Sequence, residues 1–158
     1  MKRKKDTKAY IAIDPGKKGA VAYYEEGKAV AVKCPDNIYD MAVLFSVIVD
    51  SYKCSPDCIH LILESVHALP TDGRTSAFNF GKNVGQWEGI IGCHEIKIDR
   101  VVPITWQKYY KMPKIPKPYR RKQWLKQKAV DLFEGTKVIM DTCDALLMLN
   151  YIKETNNG

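Results

Sequence analysis

Tyr10-Ile11-Ala12-Ile13-Asp14-Pro15-Gly16-Lys17-Lys18-Gly19-Ala20-Val21-Ala22 decides how this chain is read, because an apolar run stops on a carboxylate, turns through Pro and Gly, and resumes as a second apolar run. A β-branched run bounded by a Pro-Gly turn predicts a strand. A buried strand that carries one acid needs a partner for its charge, and a divalent cation is the natural candidate. Asp is also favoured where a turn opens before Pro. This stretch alone therefore leaves Asp14 either a ligand or a turn former, and the other acids must decide.

Outward from it, residues 18–24 and 28–33, joined by Glu25-Glu26-Gly27, predict two more strands in an antiparallel meander. Cys34-Pro35-Asp36-Asn37 breaks the sheet. Asp36 or Asn37 is placed to cap a helix whose Ile38, Met41, Ala42, Phe45, Ile48 and Val49 recur on one face. That helix crosses over to Cys58-Ile59-His60-Leu61-Ile62-Leu63-Glu64, apolar nearly throughout as strands of parallel sheets are, and it too ends on an acid. Two buried parallel strands that finish in acids bring Asp14 and Glu64 to the carboxyl edge of one sheet, where α/β folds build their sites.

A loop over residues 65–74, containing Pro70-Thr71-Asp72-Gly73-Arg74, leads into a helix from Thr75 to about Cys93 with Gly81, Gly85 and Gly89 on one face. A fifth strand is expected over about 95–102, closed by Pro103, with Thr105 placed to cap a short helical turn. Met112 to Pro118 holds three prolines and cannot be regular, and about 120–134 reads as a basic amphipathic helix ending at Gly135. A last helix opens at Asp141-Thr142-Cys143-Asp144-Ala145-Leu146. Its two acids, three apart, share a face of the first turn. They serve there either as ligands or as a cap and a charge that suits the helix dipole.

The 158 residues and 46% apolar content fit one folded domain over residues 9–154, preceded by a basic, mobile arm at residues 1–8. No apolar run approaches the roughly 20 residues of a membrane span, and Met-Lys-Arg-Lys-Lys is not followed by the apolar segment of a signal peptide. The expected location is the cytoplasm, or the DNA-containing compartment of an infected host cell. Five cysteines, mostly in apolar runs, read as reduced core thiols. Cys54-x-x-x-Cys58 with His60 and His67 has a zinc-like look, but no second Cys pair follows and His60 lies in a strand pattern.

The net charge of +7 is unevenly placed: residues 1–9 carry +4, residues 101–128 carry nine basic and no acidic side chains, and the remainder carries −6. An acidic body with two basic segments is a footprint for a polyanion, above all a nucleic-acid backbone. Tyr109, Tyr110, Tyr119 and Trp124, interleaved with the basic residues, either stack on bases or pack.

Asp14, Glu64, Asp141 and Asp144 thus form one pattern. Four carboxylates brought together repel strongly unless cations neutralise them. Oxygen-only ligands select hard ions, Mg²⁺ or Mn²⁺. Two such ions about 4 Å apart activate a water and stabilise the leaving oxygen in phosphodiester hydrolysis.

With these residues in place, the sequence resembles the RuvC-like Holliday junction resolvases of the ribonuclease H superfamily, particularly their phage and viral branch. The resemblance is carried by Ile11-Ala12-Ile13-Asp14-Pro15-Gly16 with Gly19, by Leu63-Glu64-Ser65-Val66-His67-Ala68-Leu69-Pro70 followed by Thr75-Ser76-Ala77-Phe78-Asn79-Phe80-Gly81, by Gly85-Gln86-x-x-Gly89, and by Asp141-x-x-Asp144-Ala145-Leu146. It covers residues 9–153 in the expected order. It implies an α/β fold with a mixed five-stranded sheet flanked by helices, a homodimer, and Mg²⁺- or Mn²⁺-dependent paired nicking of four-way DNA with two ions per site. Carried over by position, Asp14, Glu64, Asp141 and Asp144 are the metal ligands. The helix bearing Phe78, Gly81, Gly85, Trp87 and Gly89 is similar to the one through which the family dimerises. His67 stands where bacterial members place an aromatic thought to act at the junction. Arg74, Lys108, Arg120, Arg121, Lys122, Lys126 and Lys128 are expected at DNA as a group. The Lys and Pro insert from Lys111 to Pro118 departs from the family pattern.

Other readings remain at this stage. A nuclease of the same superfamily with broader taste for flaps, forks or branched DNA carries the same acids. The Asp-Pro-Gly-x-x-Gly opening also occurs in sugar-kinase and actin-like ATPases, which need two such domains where this chain has room for one. A non-catalytic module would bind branched DNA without cutting it.

Overall fold

A computed structural model describes residues 8–65 and 73–156. Side chains of β1 (Ala9–Asp14) alternate between two cores, Tyr10 and Ala12 entering one and Ile11 and Ile13 the other. This strand is therefore covered on both sides, which explains its unbroken apolar run. It pairs antiparallel with β2 (Ala20–Glu25), which pairs antiparallel with β3 (Lys28–Lys33). On its other side β1 pairs in parallel with β4 (Ile59–Glu64), and β4 with β5 (Ile98–Val101). The result is the mixed five-stranded sheet expected from the sequence, in the order β3-β2-β1-β4-β5.

One face is covered by α1 (Ile38–Tyr52) and α2 (Arg74–Cys93), with Met41, Phe45, Ile48, Trp87 and Ile91 on the sheet side. Asn37 caps α1 by accepting from the Asp40 N–H at 2.9 Å, one of the two caps expected. The other face carries α3 (Pro103–Tyr109), α4 (Pro118–Leu132) and α5 (Cys143–Thr155). Small side chains on that face of the sheet, Ala12, Ala20 and Ala22, lie in the same core as Ala145, Leu146 and Leu149 of α5, so the last helix lies close over β1 and β2. No helix among the described residues is long and apolar enough to cross a membrane.

Several boundaries differ from the sequence reading for identifiable reasons. Pro103 and Pro118 each open a helix, where a missing N–H costs nothing, instead of closing a strand or an irregular segment. Val102, not Thr105, is therefore the cap position of α3, and Thr105 sits inside the first turn. β5 begins later than expected because Glu95 takes a left-handed φ of 57° just after α2. His60 stacks on Tyr10 at 5.4 Å between ring centroids, and none of the five cysteines forms a disulfide.

Candidate active site

Along a strand, residues two apart face the same side. Asp14 follows Tyr10 and Ala12, and Glu64 follows Ile62, so both acids project toward α3, α4 and α5. The parallel register pairs Ile13 with Leu63, which places the two acids next to each other at the carboxyl edge. The turn after Asp14 is tightly specified. Gly16 has φ +111°, and its N–H donates to Asn83 Oδ1 of α2 at 2.8 Å. A Cβ on Gly19 would lie 1.9 Å from the Asp14 carbonyl oxygen, so only glycine fits there.

The carboxyl groups of Asp14 and Glu64 lie close enough to act on each other, and the nearness of Glu64 raises Asp14. Burial is the main force holding Asp14 well above the usual carboxylate range, followed by the negative charges of Glu64 and Asp144. Glu64 is also raised by burial, while the N–H that Trp106 donates to its Oε1 at 2.8 Å pulls the other way. Asp144, in the first turn of α5, completes a group of three acids. Its Oδ2 accepts from Lys122 Nζ of α4 at 2.5 Å. Burial pulls the Lys122 ammonium toward neutrality, but the Asp144 carboxylate outweighs it and keeps the group charged.

The fourth acid stands apart. α5 starts only at Cys143, so Asp141 occupies the turn before it and faces Lys33 of β3, with Nζ 2.9 Å from Oδ2. The Thr142 hydroxyl accepts from the Ile139 N–H at 3.1 Å and closes this turn.

Among the described residues, no group of three or more His, Cys, Asp or Glu side chains is arranged to hold a metal as the side chains stand. One oxygen of Glu64 accepts the Trp106 N–H, and one oxygen of Asp144 accepts the Lys122 ammonium. The donor set nevertheless fits a hard divalent ion, since it offers only carboxylate oxygens and their crowding penalises the bare anions.

The other candidate residues are distributed as follows. Arg74 at the start of α2, Lys108 of α3, and Arg120 and Arg121 of α4 are exposed. Lys126 and Lys128 are half-buried. A cleft of about 240 Å³ between α3 and α4 is bordered by Gln107, Pro118, Arg121, Leu125, Lys122 and Asp144. A larger hollow of about 790 Å³ lies at the far end of β2 and β3, against Tyr24, Lys28 and Phe133, away from the acids. On α2, Phe78 is 70% exposed, and a Cβ at Gly81, Gly85 or Gly89 would meet nothing within 4 Å. Trp87 points the opposite way, fully buried, its ring edge-on to Phe45. His67 lies outside the described residues.

No protein-family model matches this sequence, and no curated protein matches it. Among solved structures, the chain is similar to Thermus thermophilus RuvC in complex with Holliday junction substrate, with a TM-score of 0.60 and 10% identity over 96% of this chain and 98% of that one. It is similar also to a second Thermus thermophilus RuvC structure, with a TM-score of 0.60 and 9% identity over 94% and 96% of the two chains. At this identity the likeness is one of fold, and the fold is ribonuclease H-like.

Proposed function

We propose that this chain is a metal-dependent endodeoxyribonuclease of the RuvC-like type, similar to the phage and viral branch, that resolves four-way DNA junctions by paired symmetric nicks. The observation that carries the reading is the convergence of Asp14, Glu64 and Asp144 at one sheet edge, beside a helix whose Arg120 and Arg121 are exposed. Mg²⁺ or Mn²⁺ bound there would supply the Lewis acidity that polarises the phosphate and lowers the pKa of the attacking water.

Asp14, Glu64 and Asp144 would hold the metal, with Asp141 reaching in from the preceding turn once Lys33 lets go. Trp106 orients Glu64, and Asn83 holds the turn that follows Asp14. Arg120, Arg121 and their basic neighbours neutralise phosphates on either side of the cut. Pairing of the nicks calls for two sites related by a two-fold axis, and the outward face of α2 supports a homodimer, since its glycines leave room for a second copy to approach.

Cleavage of four-way, three-way, flap and linear duplex DNA, assayed side by side in Mg²⁺, tests this. Symmetric products from the four-way junction alone are expected. Equal cutting of flaps and forks would replace the junction resolvase with a broader branched-DNA nuclease, and binding without cutting would leave a non-catalytic module.

A further inference from the structure

Two ammonium groups hold acids at this edge, but in different circumstances. Lys33 stands on the edge strand β3 with its side chain 54% exposed, and such a pair holds weakly. The Lys122 side chain is 33% exposed and that of Asp144 only 17%, and their hydrogen bond is short. A divalent ion on Asp144 has to compete with that ammonium for an oxygen and against a like charge at close range. Lys122 also belongs to the same helix as Arg120 and Arg121, so whatever releases it changes the charge presented by the basic helix. Room for the release exists. The cleft of about 240 Å³ has Lys122 and Asp144 on its border and Arg121 and Gln107 in its walls. A lysine on a four-carbon stem can turn into it without movement of α4.

We propose that Lys122 is a displaceable counter-cation: it holds Asp144 until a divalent metal ion takes that carboxylate, and its freed ammonium then joins Arg121 in the α3–α4 cleft as a contact for a DNA phosphate. The proposal rests on the reading of the carboxylates as a metal site. It makes metal and DNA mutually reinforcing ligands, because each favours the state in which Lys122 has left Asp144. The cleft gains one positive charge only in the loaded protein.

The full chain and its Lys122→Gln variant are compared in two measurements. Calorimetry with Mg²⁺ alone is expected to give about tenfold tighter binding to the variant, since a competing charge has gone. Fluorescence anisotropy of a four-way junction is then followed across salt, with and without Ca²⁺, and a gel verifies that the DNA stays intact. Without divalent ion the log-log salt slopes of the two proteins coincide. With Ca²⁺ the variant falls short by about 0.9, one phosphate contact. Arg121→Gln serves as the contrast and falls short by about 0.9 in both conditions. Equal Mg²⁺ affinity, or a Lys122→Gln deficit that is the same with and without Ca²⁺, overturns the proposal and leaves the metal-site reading standing. Failure of both proteins to bind Mg²⁺ overturns that reading and the proposal with it. If Lys122→Gln does not fold, Lys122→Met keeps the apolar stem and gives the same comparison.

Discussion

The indole N–H of Trp106 donates to Glu64 Oε1 at 2.8 Å, so a buried side chain from α3 fixes the acid that ends β4. Trp106 is fully buried and Glu64 nearly so, which makes a lost donor costly at such a place. Replacing Trp106 with Phe keeps an aromatic ring and removes the N–H. We expect a loss of about 1–3 kcal/mol in folding stability, the cost of leaving a buried acceptor unmet. Urea unfolding reads it as a lower midpoint at unchanged slope. An unchanged midpoint would show that Glu64 finds another donor.

Glu64→Gln separates charge from shape. Gln retains an oxygen that accepts from Trp106, so the fold around α3 stays intact. The variant loses the anion that a metal needs. Cleavage is expected to fall by more than about 100-fold, the upper range for residues that only support a ligand. Junction binding without metal should be unchanged, because the basic residues of α4 are untouched. Cleavage at the wild-type rate would remove Glu64 from the site.

The pH dependence of the metal-free protein follows from the same acids. Asp14 is held well above its ordinary range, first by burial and then by Glu64 and Asp144, and Glu64 is raised as well. Raised folded values mean that the native state binds more protons than the unfolded chain. The contribution of these groups is therefore complete below about pH 4, the unfolded carboxyl range, and is lost as pH rises through the folded values. In EDTA, the Tm of the wild type should fall relative to that of Asp14→Asn as pH is raised from about 4 to 8. Added Mg²⁺ should stabilise the wild type most at the upper end, where fewer protons have to leave the carboxyls. A wild-type advantage that grows with pH in EDTA would contradict the raised carboxyls.

What the sequence disclosed about this site was the part set by local periodicity. Two apolar strands ending in acids, one reached by a crossover helix, sufficed to place Asp14 beside Glu64, and the apolar run after Asp144 announced α5. The partners of those acids were not legible, because each depends on packing between distant segments. Trp106 reaches Glu64 across 42 residues, Lys122 reaches Asp144 across 22, and Asn83 reaches Gly16 across 67. In the sequence Lys122 is one of nine basic residues between 101 and 128, and nothing local distinguishes it. Asp141 illustrates a different limit. Its spacing from Asp144 suits one helix face, but the turn closed by Thr142 delays the helix to Cys143, so the two acids acquire different lysines.

The proposed homodimer can be tested through glycines that the chain itself does not need. Gly81, Gly85 and Gly89 lie on the face of α2 opposite Trp87 and Ile91, and a side chain at any of them would meet nothing within 4 Å in the same chain. A glycine inside a helix costs about 1 kcal/mol relative to alanine, so Gly85→Ala should stabilise the isolated protomer by about that amount. Close packing of a second copy on this face predicts the opposite effect on association. Gly85→Leu is expected to sediment as a folded monomer with an undiminished Tm, while the wild type sediments as a dimer at micromolar concentration. The monomeric variant should still cut, but the second nick should lag behind the first instead of accompanying it. Paired nicking retained by a Gly85→Leu dimer would move the two-fold axis to another surface.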